Sequence, residues 1–458
     1  MEISSNQMAL SLTVGIITLI VLILWTRIHA FPALLIAAIL TGIVGGMGFL
    51  PVMESITKGF GSTLGSIGLI IGLGIMMGEL FEISGAAKRM AKTFISFFGK
   101  GREEIALAVT GFIVSVPIFC DSGFVILSPL AKAISRRTGK SVITLGVALA
   151  AGLVVTHHLV PPTPGPVAAA NNFGVSIGVM LIWGVLLAIP VTISAVLYAR
   201  YIGNKIFRLP ALDGEGYVNQ PYPVGAGGKW LEERDDDATL PSAFMSFLPI
   251  LAPVGLIVAG TLAKMFGLQG VLGTTIQGFG HPVVAVGIGL LIAIYGLTPG
   301  RFSRDEVVDA MDKSVRQAGI ILFVTGAGGA LGAVLRDSGA AKSVAEAIAT
   351  LNLLPILLPL IIATIVRLLQ GSGTVSMITA SSIVAPMAPT LELDPVLGAL
   401  ACCAGSLFFG YFNDSYFWVV NRILGVSNVK EQIKIWSVTT TICWAVASTI
   451  LIIASFIV

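Results

Sequence analysis

The chain has 458 residues, of which 55% are hydrophobic and only 11% charged, whereas a soluble domain carries roughly 25% charged residues. A mean hydropathy of +0.94, with 53 glycines and 22 prolines recurring inside the apolar stretches, excludes a soluble protein and fits a polytopic helix bundle. The net charge of +3 is too small and too dispersed for nucleic acid, and Cys120, Cys402, Cys403 and Cys443 lie in apolar segments without metal-ligand spacing.

A membrane span needs about 20 apolar residues. Residues 8–26 are predicted to be the first span rather than a cleavable signal, because only Glu2 precedes them and no positive region does. Spans at 30–50 and 63–83 follow. Residues 104–135 fit no single helix and are interrupted by Cys120-Asp121-Ser122-Gly123. Each limb reaches roughly 20 to 24 Å, short of a 30 Å hydrocarbon core, so a re-entrant hairpin is expected. Residues 141–172 contain His157-His158-Leu159-Val160-Pro161-Pro162-Thr163-Pro164-Gly165-Pro166, which cannot stay regular helix. A broken helix is expected there, and a span at 176–200 completes the first half.

Residues 203–241 hold Asp213, Glu215, Lys229 and the acidic run Glu232 to Asp237, and read as a solvated cytoplasmic connector. Beyond it, spans are predicted at 243–266, 281–299, 318–335, 396–421 and 436–456, making ten in all. A second hairpin is predicted at 355–390, interrupted by Gln370-Gly371-Ser372-Gly373-Thr374, and 396–421 is predicted to break at Gly410-Tyr411-Phe412-Asn413-Asp414-Ser415. The glycine runs 72–78 and 326–332 are read as close helix packing.

The halves repeat. Ser84-Gly85-Ala86-Ala87-Lys88 returns as Ser338-Gly339-Ala340-Ala341-Lys342, Ser122-Gly123 as Ser372-Gly373, and Gly174-Val175-Ser176 as Gly425-Val426-Ser427, at offsets of 254, 250 and 251. Of the 27 Lys and Arg, 22 collect at Arg27, 88–102, 132–140, 200–234, 301–316 and 422–434, and the positive-inside rule makes those segments cytoplasmic. The first hairpin is then entered from inside, whereas the second, flanked by Asn352, Glu392 and Asp394, is entered from outside. The expected fold is an all-α polytopic membrane protein of two inverted-topology repeats, 1–202 and 242–458, each with five crossings, one re-entrant hairpin and a broken helix.

Unwound backbone is tolerated at mid-membrane where it lines a cavity, so two tips and two breaks mark a central site. Candidate substrate contacts are Ser122 and Gly123 at the first tip, and His158 and Thr163 in the first broken helix. Arg367, Gly371, Ser372, Gly373 and Thr374 are those of the second tip, and Asn413 and Ser415 those of the second break. Asp121 and Asp414 are intramembrane carboxylates that either handle a coupling ion, proton or sodium, or cap a helix. Arg367 needs a carboxylate partner, supplied by substrate or by protein. His157 and His158 diverge by about 100° on a helix, which favours neutral hydrogen bonding over a shared metal. No metal and no cofactor is expected.

Pro117-Ile118-Phe119-Cys120-Asp121-Ser122-Gly123-Phe124-Val125-Ile126-Leu127-Ser128-Pro129, the run from His158 to Pro166, Gln370 to Val375, and Asn413 to Trp418 together carry a resemblance to a known family. The sequence resembles the gluconate permease family, the gluconate:proton symporters and their relatives, which include D-serine permeases. That resemblance covers essentially the whole chain and implies a bacterial inner-membrane symporter of the ion-transporter superfamily fold, a homodimer in lipid with an elevator-like movement of its hairpin domain. Its implied substrate is gluconate or a related aldonate anion, with a small amino acid such as D-serine, or a sodium-coupled carboxylate, as the alternative. A channel or a membrane enzyme is the remaining, weaker reading. Asp121-Ser122 stands where many members carry Glu-Val, and Thr163 where many carry His.

Overall fold

The computed structural model describes residues 5–26, 28–211, 216–219, 240–349, 353–411 and 414–457. Its first half runs α1 (Ser5–Leu24), α2 (Ala30–Val44), α3 (Phe49–Ser84), α4 (Ala86–Phe98), α5 (Glu103–Val114), α6 (Cys120–Thr138), α7 (Val142–Leu159), α8 (Pro164–Asn172) and α9 (Ile177–Lys205). Its second half runs α10 (Ala243–Met265), α11 (Gly270–Phe279), α12 (Pro282–Leu297), α13 (Arg304–Asp337), α14 (Ala340–Ala349), α15 (Leu357–Gln370), α16 (Gly373–Val384), α17 (Pro395–Gly405), α18 (Ser415–Ile423), α19 (Val429–Gln432) and α20 (Val438–Ala454). A sequence of long helix, short amphipathic helix, hairpin, split helix and long helix thus occurs twice.

The repeated motifs adopt matching local structure. Gly85 and Gly339 both take left-handed φ values, 73° and 76°, between a long helix and an amphipathic one. At each, a serine oxygen (Ser84 or Ser338) accepts from the backbone N–H two residues on, at 3.3 Å. The third repeated motif turns the same way, with φ 69° at Gly174 and 70° at Gly425. A Cβ at such a position would be strained, which ties these glycines to the turns they make.

Among the described residues, six helices are long and apolar enough to cross a membrane, or seven if the bent pair α11 and α12 is one span. This is fewer than the ten expected spans. The stretch expected at 30–50 shortens to α2 because Gly45 and Gly46 end it, and 396–421 divides into α17 and α18 with an unwound stretch between. Conversely, α3 and α13 extend well beyond the expected 63–83 and 318–335. Serine capping explains the earlier start of α13: Ser303 and Glu306 form a reciprocal capping box. The amphipathic helix α4 buries Ala86, Ala87, Met90 and Ala91, and leaves Lys88 exposed.

Hairpin one is closed at its open end. Lys140, just after α6, reaches back to Glu103 at 2.8 Å and Glu104 at 2.6 Å on the first turn of α5, and Arg200 on α9 adds a 2.7 Å contact to Glu104. Partial burial works against the Lys140 ammonium, yet the two carboxylates outweigh it and hold its pKa above the ordinary lysine value. Glu104→Ala is expected to lower stability by about 1.5 to 3 kcal/mol, the range for hydrogen bonds to charged groups. A thermal melt of the detergent-purified protein reads this directly, and an unshifted midpoint would mean that the clasp contributes nothing.

The chain turns at Ser115 to Phe119, around Pro117, rather than at the expected Cys120 to Gly123, which instead form the first turn of α6. Hairpin two turns at Gly371 and Ser372, and its limbs are tied by the Ser376 hydroxyl donating to the Ala363 carbonyl at 2.7 Å. Its far end meets α8, where the Asn172 amide donates to Ser381 at 2.8 Å and Ser382 at 3.2 Å.

The centre is occupied by α7, apolar all round and buried along its whole length. Glycine lets α5 lie close against it, since a Cβ at Gly111 would strike the Leu149 carbonyl and one at Gly152 the Ala108 carbonyl. Of the glycine runs, Gly326, Gly328, Gly329 and Gly332 do face close neighbours, as does Gly78 against Pro117, whereas Gly72 and Gly74 face open space. The described part of the connector forms a short antiparallel pair, Leu209–Pro210 with Tyr217–Val218. Asp213, Glu215 and the charged run from Lys229 to Asp237 lie outside the described residues.

Candidate functional site

Both hairpin tips and the break of the second split helix meet beside the end of α7, around a cavity of about 270 Å³. Three helices begin there, α6 at Cys120, α16 at Gly373 and α18 at Ser415, so their N-terminal N–H groups and positive dipole ends converge on one space. Local chemistry sets two of these starts. Ser372 caps α16 by accepting from the Val375 N–H at 3.4 Å, and Asp414 caps α18 by accepting from the Tyr416 N–H at 3.1 Å.

Arg367 is 3% exposed. Its Nη2 donates to Asp414 Oδ2 at 2.5 Å, and its Nη1 donates to the Gly371 carbonyl, which the left-handed Gly371 (φ 78°) helps to present. Of the two partners left open by the sequence, the protein's own carboxylate is the one observed. Asp414 therefore serves as helix cap and as counter-ion together.

Asp121 is placed differently. It accepts from the Ser415 hydroxyl at 3.2 Å and from the Cys120 thiol at 3.8 Å, and it makes no ion pair among the described residues. The cavity's charged side chains are thus one internal pair and one lone carboxylate. Two histidines stand on the other wall. His158 Nδ1 lies 2.8 Å from the Val154 carbonyl, so that nitrogen carries the proton and Nε2 is an acceptor lying against Gly373. His157 Nε2 lies 3.3 Å from the Thr374 hydroxyl. Among the described residues, His157 Nδ1, His158 Nε2 and both side-chain heteroatoms of Gln370 are buried without a hydrogen-bond partner.

The structure therefore brings together Asp121, His158, Arg367, Gly371, Ser372, Gly373, Thr374, Asp414 and Ser415. Ser122 is absent from the cavity wall and lies toward Glu82 on α3, and Gly123 packs on Leu153. Thr163 donates to the Val160 carbonyl at 2.6 Å and lines a separate small gap beside His157. Asn413 lies outside the described residues. His157, Gln370, Cys120 and Tyr416 line the cavity but were not among the sequence candidates. The first three stand inside the polar interruptions that mark the site, which was their available signal, whereas Tyr416 belongs to the apolar start of α18.

The sequence matches the family model described as GntP family permease over residues 8–457. The chain belongs to the GntP permease family. A Haemophilus influenzae permease is 48% identical over 98% of this chain and 92% of its own length. The high-affinity gluconate transporter of Escherichia coli is 35% identical over 94% and 95% of the two chains, and the D-serine transporter DsdX of Escherichia coli is 31% identical over 98% of each. In fold, this permease is similar to MtrF of Neisseria gonorrhoeae, with a TM-score of 0.66 at 14% identity over 96% and 97% of the chains. It is also similar to the YdaH transporter of Alcanivorax borkumensis, with a TM-score of 0.62 at 16% identity over 88% of each. This permease is a multi-pass membrane transporter of the bacterial inner membrane, not an enzyme.

Proposed function

We propose that the chain takes up gluconate or a related aldonate together with a proton, by alternating access of the central cavity. The observation that carries the choice of substrate is the set of buried polar atoms on His157, His158 and Gln370 that have no partner among the described residues. A buried polar atom left without a partner costs roughly 1 to 3 kcal/mol, and a polyhydroxylated acid offers several hydroxyls to share among them. D-serine offers one. What favours D-serine as the second reading is the lone Asp121, against which an ammonium group would fit.

Charge supports the coupling. Arg367 and Asp414 cancel one another, so an anion entering beside ionised Asp121 would meet an uncompensated like charge. At about 5 Å and an effective dielectric constant near 20, that repulsion is about 3 kcal/mol. A proton on Asp121 removes it, so proton and anion enter favourably only together. The three helix N-termini then supply donors to the carboxylate without a further cation.

The placement of the two hairpins supports reading the halves as an inverted repeat, and with it alternating access. The Lys140 clasp lies at the start of α7, and the Asn172 contacts of hairpin two lie at the end of α8, so the hairpins reach the cavity from opposite ends of one split helix. With the basic segments inside, hairpin one belongs to the cytoplasmic face and hairpin two to the outer face. The homodimer implied by the family resemblance is part of this reading. The test is uptake by proteoliposomes of labelled gluconate and labelled D-serine, under an imposed pH gradient or an imposed sodium gradient. Accumulation of gluconate driven by the pH gradient and collapsed by a protonophore is expected; accumulation of D-serine alone, or a requirement for sodium, would overturn the reading.

A further inference from the structure

A second polar cavity, of about 110 Å³, lies at the far end of α16, whose start borders the central one, and beside the end of α8. Since about 10 to 15 Å³ by this kind of measure admits one water, it has room for a small hydroxylated molecule. Its polar wall includes Thr63 and Ser66 on α3, Arg336 on α13, Asn172 at the end of α8, and Ser381 and Ser382 on α16. From Gly373 at the central tip, α16 rises about 13 Å to Ser382, and α8 rises about 12 Å from Pro164 to Asn172, at 1.5 Å per residue. The second cavity therefore stands one short helix away from the first, between the long helices α3 and α13 and the hairpin that reaches the site.

Among the described residues, Arg336 is the sole charged side chain lining this cavity. It makes no ion pair among the described residues, and the adjacent Asp337 is engaged by the Ser55 hydroxyl at 2.7 Å. The Asn172 amide nitrogen is used on Ser381 and Ser382, and their hydroxyls donate onward to the Ile378 carbonyl at 3.1 and 2.7 Å. That network fixes one wall, so the amide and hydroxyl positions are set before any ligand arrives. A guanidinium fork beside a wall of hydroxyls and amides matches an anion that carries a carboxylate at one end and hydroxyls along its length.

We infer that this cavity is an outer vestibule, a second binding site that takes a hydroxylated carboxylate on Arg336 before it moves to the central cavity. The ligand class and the word outer both rest on the proposed function above. The Arg336 guanidinium on this wall attracts an anion, while the central cavity, with its internal pair and its protonatable carboxylate, admits the anion only with its proton.

The probe is gluconate, titrated by calorimetry into the purified full-length protein. A central-cavity variant, Arg367→Gln with Asp414→Asn and with Thr374→Trp to fill the central cavity, is expected to keep a weak gluconate site. Adding Arg336→Gln should weaken that residual site by tenfold or more, and adding Arg336→Lys should weaken it less. Asn172→Asp, which sets a carboxylate against Arg336, is expected to act like Arg336→Gln, and it serves if Arg336→Gln fails to fold. Residual binding that is absent, or that ignores both Arg336→Gln and Asn172→Asp, overturns the inference. So does an Arg336-dependent signal that phosphatidylglycerol produces and gluconate does not, because the cavity would then hold a lipid headgroup. Failure of the aldonate reading is distinguishable: wild-type proteoliposomes would accumulate no gluconate even though the Arg336-dependent site still titrates.

Discussion

Asp121→Asn is expected to abolish accumulation of gluconate against a gradient while leaving the protein folded and inserted. The carboxylate sits on the first turn of α6, where it faces the cavity, accepts from Ser415 and Cys120, and lacks a cationic partner among the described residues. A group in that position can hold a charge or a proton according to which face the cavity opens to, and an amide can do neither. An Asn variant stays permanently neutral, so anion entry is no longer tied to proton entry. Counterflow, in which labelled gluconate exchanges across the membrane without net proton movement, should therefore persist when accumulation is lost. If the variant still accumulates gluconate in a pH-dependent way, the coupling role lies elsewhere.

Arg367→Gln is expected to be the most damaging single substitution for folding. It would leave Asp414 buried and ionised, and removing one partner of a buried ion pair typically costs about 3 to 5 kcal/mol. That is a large share of a stability margin of roughly 5 to 15 kcal/mol. Arg367→Lys keeps the charge but loses the fork that bonds Asp414 and the Gly371 carbonyl together, so a smaller loss is expected. The double variant Arg367→Gln with Asp414→Asn removes both charges and should recover most of the lost melting temperature without restoring normal transport. Thermal melts of the three variants check the order. Should Arg367→Gln melt like wild type and lose only gluconate affinity, the arginine would be a direct partner of the substrate carboxylate.

The large features of the fold were legible because hydrocarbon thickness is a strict ruler. A limb of 14 residues such as α15 is too short to cross, and a glycine-rich polar knot between two such limbs leaves little choice but a turn at mid-membrane. The same ruler was blind to α4 and α14, whose mixed apolar and charged sequences suit an interface rather than a core. It also missed the entry turns of α3, where Glu54 and Lys58 dilute an otherwise helical run.

Within the candidate site, polarity marked segments that meet at the cavity but not which of their faces line it. Successive residues on a helix point about 100° apart, so once Asp121 faces the cavity, Ser122 and Gly123 must face elsewhere, and they meet Glu82 and Leu153. The polar character of Cys120 to Gly123 also drew the expected turn forward, whereas Pro117 in the preceding loop is the residue least suited to continuing α5. Arg367 and Asp414 are 47 positions apart. Their pairing could be posed from sequence as one of two alternatives, and only the meeting of hairpin and split helix decides it.

The coupling of proton to anion is tested most directly by external pH during gluconate uptake. Wild-type proteoliposomes, weakly buffered outside and voltage-clamped with potassium and valinomycin, receive gluconate in the medium. The account predicts that the medium turns alkaline as gluconate enters, in fixed proportion to the gluconate taken up, and that Asp121→Asn vesicles give no such change. Gluconate uptake by the wild type with no movement of external pH would contradict it.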